Sequence, residues 1–210
     1  MPNYIVKDGD CTESIAFERG LFWKKVWDHS KNFNLREKRK DPNVLFPGDV
    51  VFVPEKEEKQ EPGATEQRHR FKRKGIPSSF NIQVFSNGEP RGNQQYILDI
   101  DGVQKVSQTD KEGWIRTRIP PNARSGRIIF TKGNFREIVN LKLGHLDPVD
   151  EITGLQQRLS NLGFDCIVEK GTLGPHTKEA LKKFQKKNSL PETGEVNDAT
   201  RVKLKAEHGC

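Results

Sequence analysis

The chain is poor in apolar material: hydrophobic residues make up 32% of its 210 positions, charged residues 31%, and the mean hydropathy is −0.80. That shortage excludes one large core and favours several small cores joined by solvated linkers. Long apolar runs are missing too. The segment from Met1 to Gly9 has no basic stretch leading into an apolar run, and nothing downstream approaches membrane-spanning length. Neither a secretory signal nor membrane insertion is expected. Cysteine is scarce, with Cys11, Cys166 and Cys210 an odd set at unrelated spacings and no Cys-x-x-Cys or Cys/His pattern. A disulfide framework and a zinc site are thereby disfavoured, and a reducing compartment of origin is the natural reading.

A catalytic constellation is equally hard to find. The five histidines, His29, His69, His145, His176 and His208, fall one per region without a metal-ligand pair such as His-x-x-x-His, so no catalytic residue, metal or cofactor is expected. Asp99, Asp101, Asp110 and Glu112 could hold a calcium ion, but aspartates beside glycine at strand ends are turn formers in the preferred reading. Charge of one sign is in excess, at +7. An anionic partner suits it, and nucleic acid, lipid headgroups, teichoic acids and peptidoglycan carboxylates all qualify. The basic run from Arg68 to Lys74, with Phe71 inside it, could bind phosphates and stack a base. A solvated linker is the preferred account of that run, and nucleic acid is not the expected partner.

Residues 55–75 hold twelve charged side chains in twenty-one positions, acidic first and basic later, and read as a linker. A second break falls near Asp147-Pro148. The fold class expected is multidomain α+β: a βααβ unit over residues 1–54, the linker, a small β-sandwich spacer of five to seven strands over 76–146, and a three-helix domain over 147–210. In the first unit Tyr4-Ile5-Val6 and Val50 to Val53 are strand-like, Asp10 with Glu13 starts a helix that Gly20 ends, and a second helix from Phe22 to His29 places Phe22, Val26 and His29 on one face. In the second, runs such as Phe80-x-Ile82-x-Val84 and Tyr96-x-Leu98-x-Ile100 alternate between turn signals at Asn87-Gly88, Asp101-Gly102, Glu112-Gly113, Ser125-Gly126 and Lys132-Gly133. In the third, Ile152, Leu155, Leu159 and Leu162 share a face, Ala180, Leu181 and Phe184 a second, and a last helix from Asp198 carries Val202 and Leu204.

Tyr4-Ile5-Val6, Gly9-Asp10, Ser14-Ile15-Ala16, Pro47-Gly48-Asp49 and Val51-Phe52-Val53-Pro54 occur in an order that resembles a LysM domain. The resemblance implies a shallow groove for N-acetylglucosamine-containing glycan, lined by Gly9, Asp10, Cys11 and Thr12 on one side and by Asn32, Leu45, Phe46, Pro47 and Gly48 on the other. Backbone groups in facing turns would satisfy the sugar's acetamido group. Cys11 and Thr12 stand where threonine and leucine are usual, and residues 34–43 form a charged insertion. This longer form is similar to LysM domains of contractile injection and phage-tail-like particles.

Leu155-Gln156, Leu162-Gly163-Phe164, Gly171-x-x-Gly174-x-x-Thr177, Ala180-Leu181, Phe184-Gln185, Thr193-Gly194 and Thr200 resemble the three-helix peptidoglycan-binding domain found beside wall hydrolases. That likeness implies a glycan-binding surface around Phe164, Gly174, His176 and Thr177. The middle unit resembles carboxypeptidase-regulatory or transthyretin-like β domains through Tyr96 to Gly102 and Ile119-Pro120-Pro121, which implies a spacer.

The expected function is non-catalytic binding of peptidoglycan or a related N-acetylglucosamine polymer through two terminal modules, whose linkage adds avidity. The alternative is an adaptor of a contractile injection particle that docks on spike, tube or baseplate protein. Synthesis in the cytoplasm without a signal peptide is expected, with action at the cell wall or periplasm or on an extracellular particle.

Overall fold

The computed structural model describes residues 3–57, 62–69, 78–86, 88–132 and 135–209. Much of the expected linker, with Ile76, Cys210 and the turn residues Asn87 and Gly133, lies outside the described residues. The chain is a multidomain α+β protein whose two compact units are Met1–Asn43 with Gly48–His145, and Val44–Pro47 with Leu146–Cys210.

In the first unit β1 (Asn3–Ile5) pairs antiparallel with β2 (Val50–Phe52), Tyr4 opposite Val51. Helices α1 (Thr12–Glu18), α2 (Trp23–Trp27) and α3 (Phe33–Arg39) lie between them in sequence, with a 3-10 turn over Ser30–Asn32. The expected cap moves by one residue. Cys11, not Asp10, takes the N-cap in an extended conformation, its thiol accepting from the Ser14 amide at 3.4 Å while its own amide donates to the Ser14 hydroxyl at 3.0 Å. Gly20 ends the helix region at φ +66°, as expected.

Two further expectations are corrected. Phe22 precedes the five-residue α2 as its extended N-cap and is 46% exposed, so the inward face is Val26 with Trp27. The supposed insertion at residues 34–43 is α3 for most of its length. It has one inward apolar residue, Leu35, too few to show a period. It is fixed instead by a fork of bonds from Arg39 to the buried Asp49, 2.6 Å from Nε and 3.0 Å from Nη2.

Among the described residues the β part holds eight strands rather than about five to seven, because the short hairpin of β4 (Phe85–Ser86) and β5 (Glu89–Pro90) adds two. Strands β6 (Gln95–Ile100), β7 (Val103–Gln108), β9 (Ser125–Lys132) and β10 (Phe135–Lys142) make one sheet in the order β10-β9-β6-β7, and β3 (Ser78–Gln83) pairs with β8 (Trp114–Ile119). Tyr96, Leu98 and Ile100 of β6 meet Ile128 and Phe130 of β9 and Ile115 of β8 in the core, with Phe80 and Ile82 of β3 packed against it. Between β6 and β7 a two-residue turn puts Asp101 at φ +47° and Gly102 at +87°, the left-handed pair that matches the twist of a tight hairpin.

In the second unit α4 (Ile152–Asn161), α5 (Pro175–Lys187) and α6 (Asp198–His208) surround Leu155, Leu159, Cys166, Ala180, Leu181, Phe184 and Leu204. Helix α6 buries Thr200 and Leu204, one turn apart, and leaves Val202 70% exposed.

Two buried glutamines tie the loops to the helices. Gln156 accepts from the Gly171 amide at 2.8 Å and donates to Glu169 and Thr172 carbonyls and the Thr177 hydroxyl. Gln185 accepts from Gly194 at 2.9 Å and donates to the Glu195 carbonyl and to Thr193 and Thr200 hydroxyls. Gln185→Leu keeps the volume and strands those buried partners, so it should lower the stability of this unit by about 2 kcal/mol or more. Hydrogen exchange of the α6 amides measures it, and unchanged protection contradicts the account.

Candidate functional site

The first candidate site begins at the turn Gly9 to Thr12. Gly9 takes φ +80°, and a Cβ there would lie 2.9 Å from the His145 ring. Three backbone donors of the turn are engaged within the unit: Asp10 to the Lys7 carbonyl at 3.0 Å, Cys11 to the Ser14 hydroxyl, and Thr12 to the Pro42 carbonyl at 2.9 Å. Arg124, in the segment between β8 and β9, donates to the Gly9 carbonyl and, at 2.5 Å, to the Asp10 carboxylate. The other Asp10 oxygen accepts from the Tyr4 hydroxyl at 2.8 Å and the Lys7 amide at 2.9 Å.

These contacts set the electrostatics. Burial works against the Asp10 charge, but the Lys7 amide, Arg124 and Tyr4 together outweigh it and hold the carboxyl below its ordinary range. Burial first, then the bond to Asp10, pushes the Tyr4 hydroxyl up to about 12.

The remaining expected groove residues are placed as follows. Thr12 is fully buried, and Asn32 is 2% exposed with its amide spent on the fold: Nδ2 donates to the Val26 and Phe52 carbonyls and Oδ1 accepts from the Phe52 amide, each at 2.8 Å. Gly48 is exposed at φ +93° and donates to Val6. Leu45, buried, Phe46, half-buried, and Pro47, exposed, fall in the other unit. The structure thus gathers Gly9 to Thr12 on one turn and divides the set of nine between two units.

The second candidate site is a cleft of about 300 Å³ lined by Gly163, Phe164, Asp165, His176, Glu179, Ala180 and Lys183. Its floor follows from the end of α4, where Gly163 at φ +87° turns the chain and Phe164 donates back to Leu159 at 2.9 Å. The Phe164 ring stands at 90° to Phe184 with centroids 5.7 Å apart, and the Lys187 ammonium lies 5.7 Å from its centroid. Across the cleft the Lys183 ammonium is 2.7 Å from Glu179, whose carboxyl it holds below the ordinary range.

Of the four residues expected here, Phe164 and His176 line the cleft, while Gly174 and Thr177 lie outside its lining, at the start of α5. A Cβ on Gly174 would meet the Glu169 carboxylate at 2.4 Å. That carboxylate caps α5 by accepting from the amides of His176 at 3.0 Å and Thr177 at 2.8 Å, and from the Thr177 hydroxyl. Asp165, Glu179 and Lys183 were missed, although His176, Glu179, Ala180 and Lys183 repeat at the spacing of one helix face and could have been found by it.

Residues 149–204 match the family described as "Putative peptidoglycan binding domain". The segment is similar to that family, and it contains the whole of the Phe164 cleft and all three helices but the last residues of α6. The match covers just over a quarter of the sequence. No curated protein and no solved structure matches the chain. Among the described residues no helix is long and apolar enough to cross a membrane, and no group of three His, Cys, Asp or Glu could hold a metal ion. Asp99, Asp101 and Asp110 are turn and ion-pair residues, bonded to the amides of Gly102, Ser125 and Trp114 and to Arg127 and Arg116.

Two pH dependences follow. Tyr4 has a folded pKa raised above its unfolded value near 10, so its contribution is whole below pH 10 and is lost as pH climbs toward about 12. Tyr4→Phe should cost about 1 kcal/mol at neutral pH and flatten that alkaline loss. Denaturant titrations followed by tryptophan fluorescence report this unit alone, because Trp23, Trp27 and Trp114 all lie in it.

His208 behaves in the opposite sense. Burial first, then the Arg158 charge, pushes it down to about 4, and Asn161 Nδ2 lies 3.0 Å from its Nε2, a bond in which the amide donates to an unprotonated ring nitrogen. Its folded pKa is depressed, so the three-helix unit should lose stability as pH falls from about 6.5 toward about 4. His208→Gln should remove that loss, read from hydrogen exchange of α6 at each pH.

Proposed function

We propose that the protein binds the N-acetylglucosamine-containing glycan of peptidoglycan without cleaving it, and that the Phe164 cleft is the contact. The match of residues 149–204 to a peptidoglycan-binding family supports peptidoglycan as the partner and an association with the cell wall. What carries the finer reading is the lining of the cleft. An aromatic face, an ion pair at 2.7 Å and a histidine in one concave surface offer an apolar platform for a sugar ring beside donors and acceptors for its hydroxyl and acetamido groups.

A second reading concerns the first unit, which we take as LysM-like. The amides of Asp10, Cys11 and Thr12 and the carbonyl of Gly9, which face an acetamido sugar in the LysM-like reading, are engaged by Lys7, Ser14, Pro42 and Arg124. That engagement favours a docking role for this end of the chain, as in an adaptor of a contractile injection particle, over a second sugar site.

The test is co-sedimentation of the full chain with insoluble peptidoglycan at low and high salt, with chitin as a second polymer and a charge-matched unrelated protein as control. The chain should pellet at high salt, and Phe164→Ala should weaken pelleting about tenfold. Because Phe164 packs on Phe184, His176→Ala at an exposed position serves as a second variant, expected to weaken pelleting with the fold intact. Release of the wild-type chain at high salt would leave charge attraction alone and refute the proposal.

A further inference from the structure

The matched domain is nearly neutral, with nine basic and eight acidic residues in 149–204, yet its charge is sharply segregated. Helix α5 carries Lys178, Lys182, Lys183, Lys186 and Lys187 against a single acid, Glu179, while the remainder of 149–204 has four basic and seven acidic residues. All five lysines are exposed. Among the described residues only Lys183 has a carboxylate partner. The helix's own N-terminus, which would otherwise attract an anion, is filled by Glu169. The positive potential of this face therefore comes from side chains alone.

Lys178, Lys182 and Lys186 recur every fourth residue, so they stand in a row with a spacing of about 6 Å along the helix axis. Like charges at this spacing repel and weaken a helix. The row lies beside a second one, Glu179, Lys183 and Lys187, of which Glu179 and Lys183 line the cleft and Lys187 lies over the Phe164 ring. A helix face that is poorer for its own stability, and that borders a ligand cleft, is suited to an anion on the same ligand.

We propose that the Lys178–Lys182–Lys186 row is a track for the carboxylates of peptidoglycan peptide stems, running beside the cleft that takes the sugar. The inference rests on the glycan reading of the cleft and adds a second part of the same polymer to it. The stems leave the glycan strand next to its acetamido groups, so a chain seated at Phe164 presents carboxylates close to α5, and the second contact forms within an existing complex. The cation type fits this use. An arginine fork fixes the orientation of one carboxylate, whereas an ammonium is a point charge with rotatable donors, and α5 has five lysines and no arginine. Such a row tolerates stems that differ in length or cross-linking and lets the polymer slide in register.

The experiment compares intact peptidoglycan with the same material after amidase removal of its peptide stems, across a salt series, for the wild-type full chain and for Lys178→Gln/Lys186→Gln. Glutamine keeps helix propensity, and both positions are exposed. The wild-type chain should prefer intact material about fivefold at low salt and lose that preference as salt rises. The double variant should bind stripped glycan as the wild type does and show little of the preference. Equal binding of the wild type to both materials overturns the track, as does a variant that weakens equally on both. Tighter binding to an unrelated duplex DNA than to intact peptidoglycan assigns the row to another polyanion and also overturns it. The glycan reading fails separately, and takes the track with it, if the wild type pellets with neither material at any salt.

Discussion

The three-helix unit is organised by two buried primary amides set beside its apolar core. Gln156 and Gln185 each sit on a helix and reach into a loop, and each uses its carbonyl to accept from a left-handed glycine, Gly171 or Gly194, and its nitrogen to hold a threonine hydroxyl, Thr177 or Thr200. In both cases the threonine follows the glycine by six residues and is the third residue of the next helix. The two halves thus repeat one device: an amide in the core specifies where a loop ends and a helix begins. Only their caps differ. Asn197 accepts from the Thr200 amide at 2.8 Å, while Gly174, without a side chain, leaves that task to Glu169. Fixing the start of α5 in this way fixes His176, Glu179 and Lys183, and so the cleft.

The first unit follows the same rule with different groups. Asp10, Asn32 and Asp49 are buried and each satisfies several partners: Asp10 gathers Tyr4, Lys7 and Arg124, Asn32 joins α2 to β2, and Asp49 anchors α3 through Arg39. A chain in which charged residues nearly equal apolar ones has to organise small cores with polar groups, since burying an unpaired one costs more than most apolar contacts return. The same economy explains why residues that a motif assigns to sugar binding can instead be occupied by the fold. A conserved-looking turn has a fixed number of donors, and those of Asp10, Cys11 and Thr12 are used internally.

Periodicity made most of the elements legible. The alternation of Tyr96, Leu98 and Ile100, the Asp101-Gly102 turn, and the four-residue spacing of Leu155 and Leu159 all follow from steric rules that act within a few residues. What escaped was set by distant partners. Helix α3 has one inward apolar residue and is held by Asp49, ten residues beyond Arg39. Cys11 caps α1 because Asp10 is drawn away to Tyr4 and Arg124, 114 residues distant in the last case. The motif marks Gly174 and Thr177 as a turn and helix cap, as they are, but its spacing does not record whether such a position also faces a ligand, and here they receive Glu169 and Gln156.

Helix α5 concentrates these constraints in thirteen residues. Ala180, Leu181, Phe184 and Gln185 face the core, His176, Glu179 and Lys183 face the cleft, and Lys178, Lys182 and Lys186 face outward. Three periodic sets share one helix because successive residues turn by about 100°, which leaves room for a core stripe and two flanking rows. The core stripe and the Glu169 cap hold the helix against the mutual repulsion of its lysines, so the outward rows are free of any packing requirement. Residues freed in this way can be chosen for charge alone. The domain's acidic residues lie mostly elsewhere, so the cationic face keeps its potential instead of being neutralised along its length. The stability of the buried side is thus what permits an exposed side specialised for an anionic polymer.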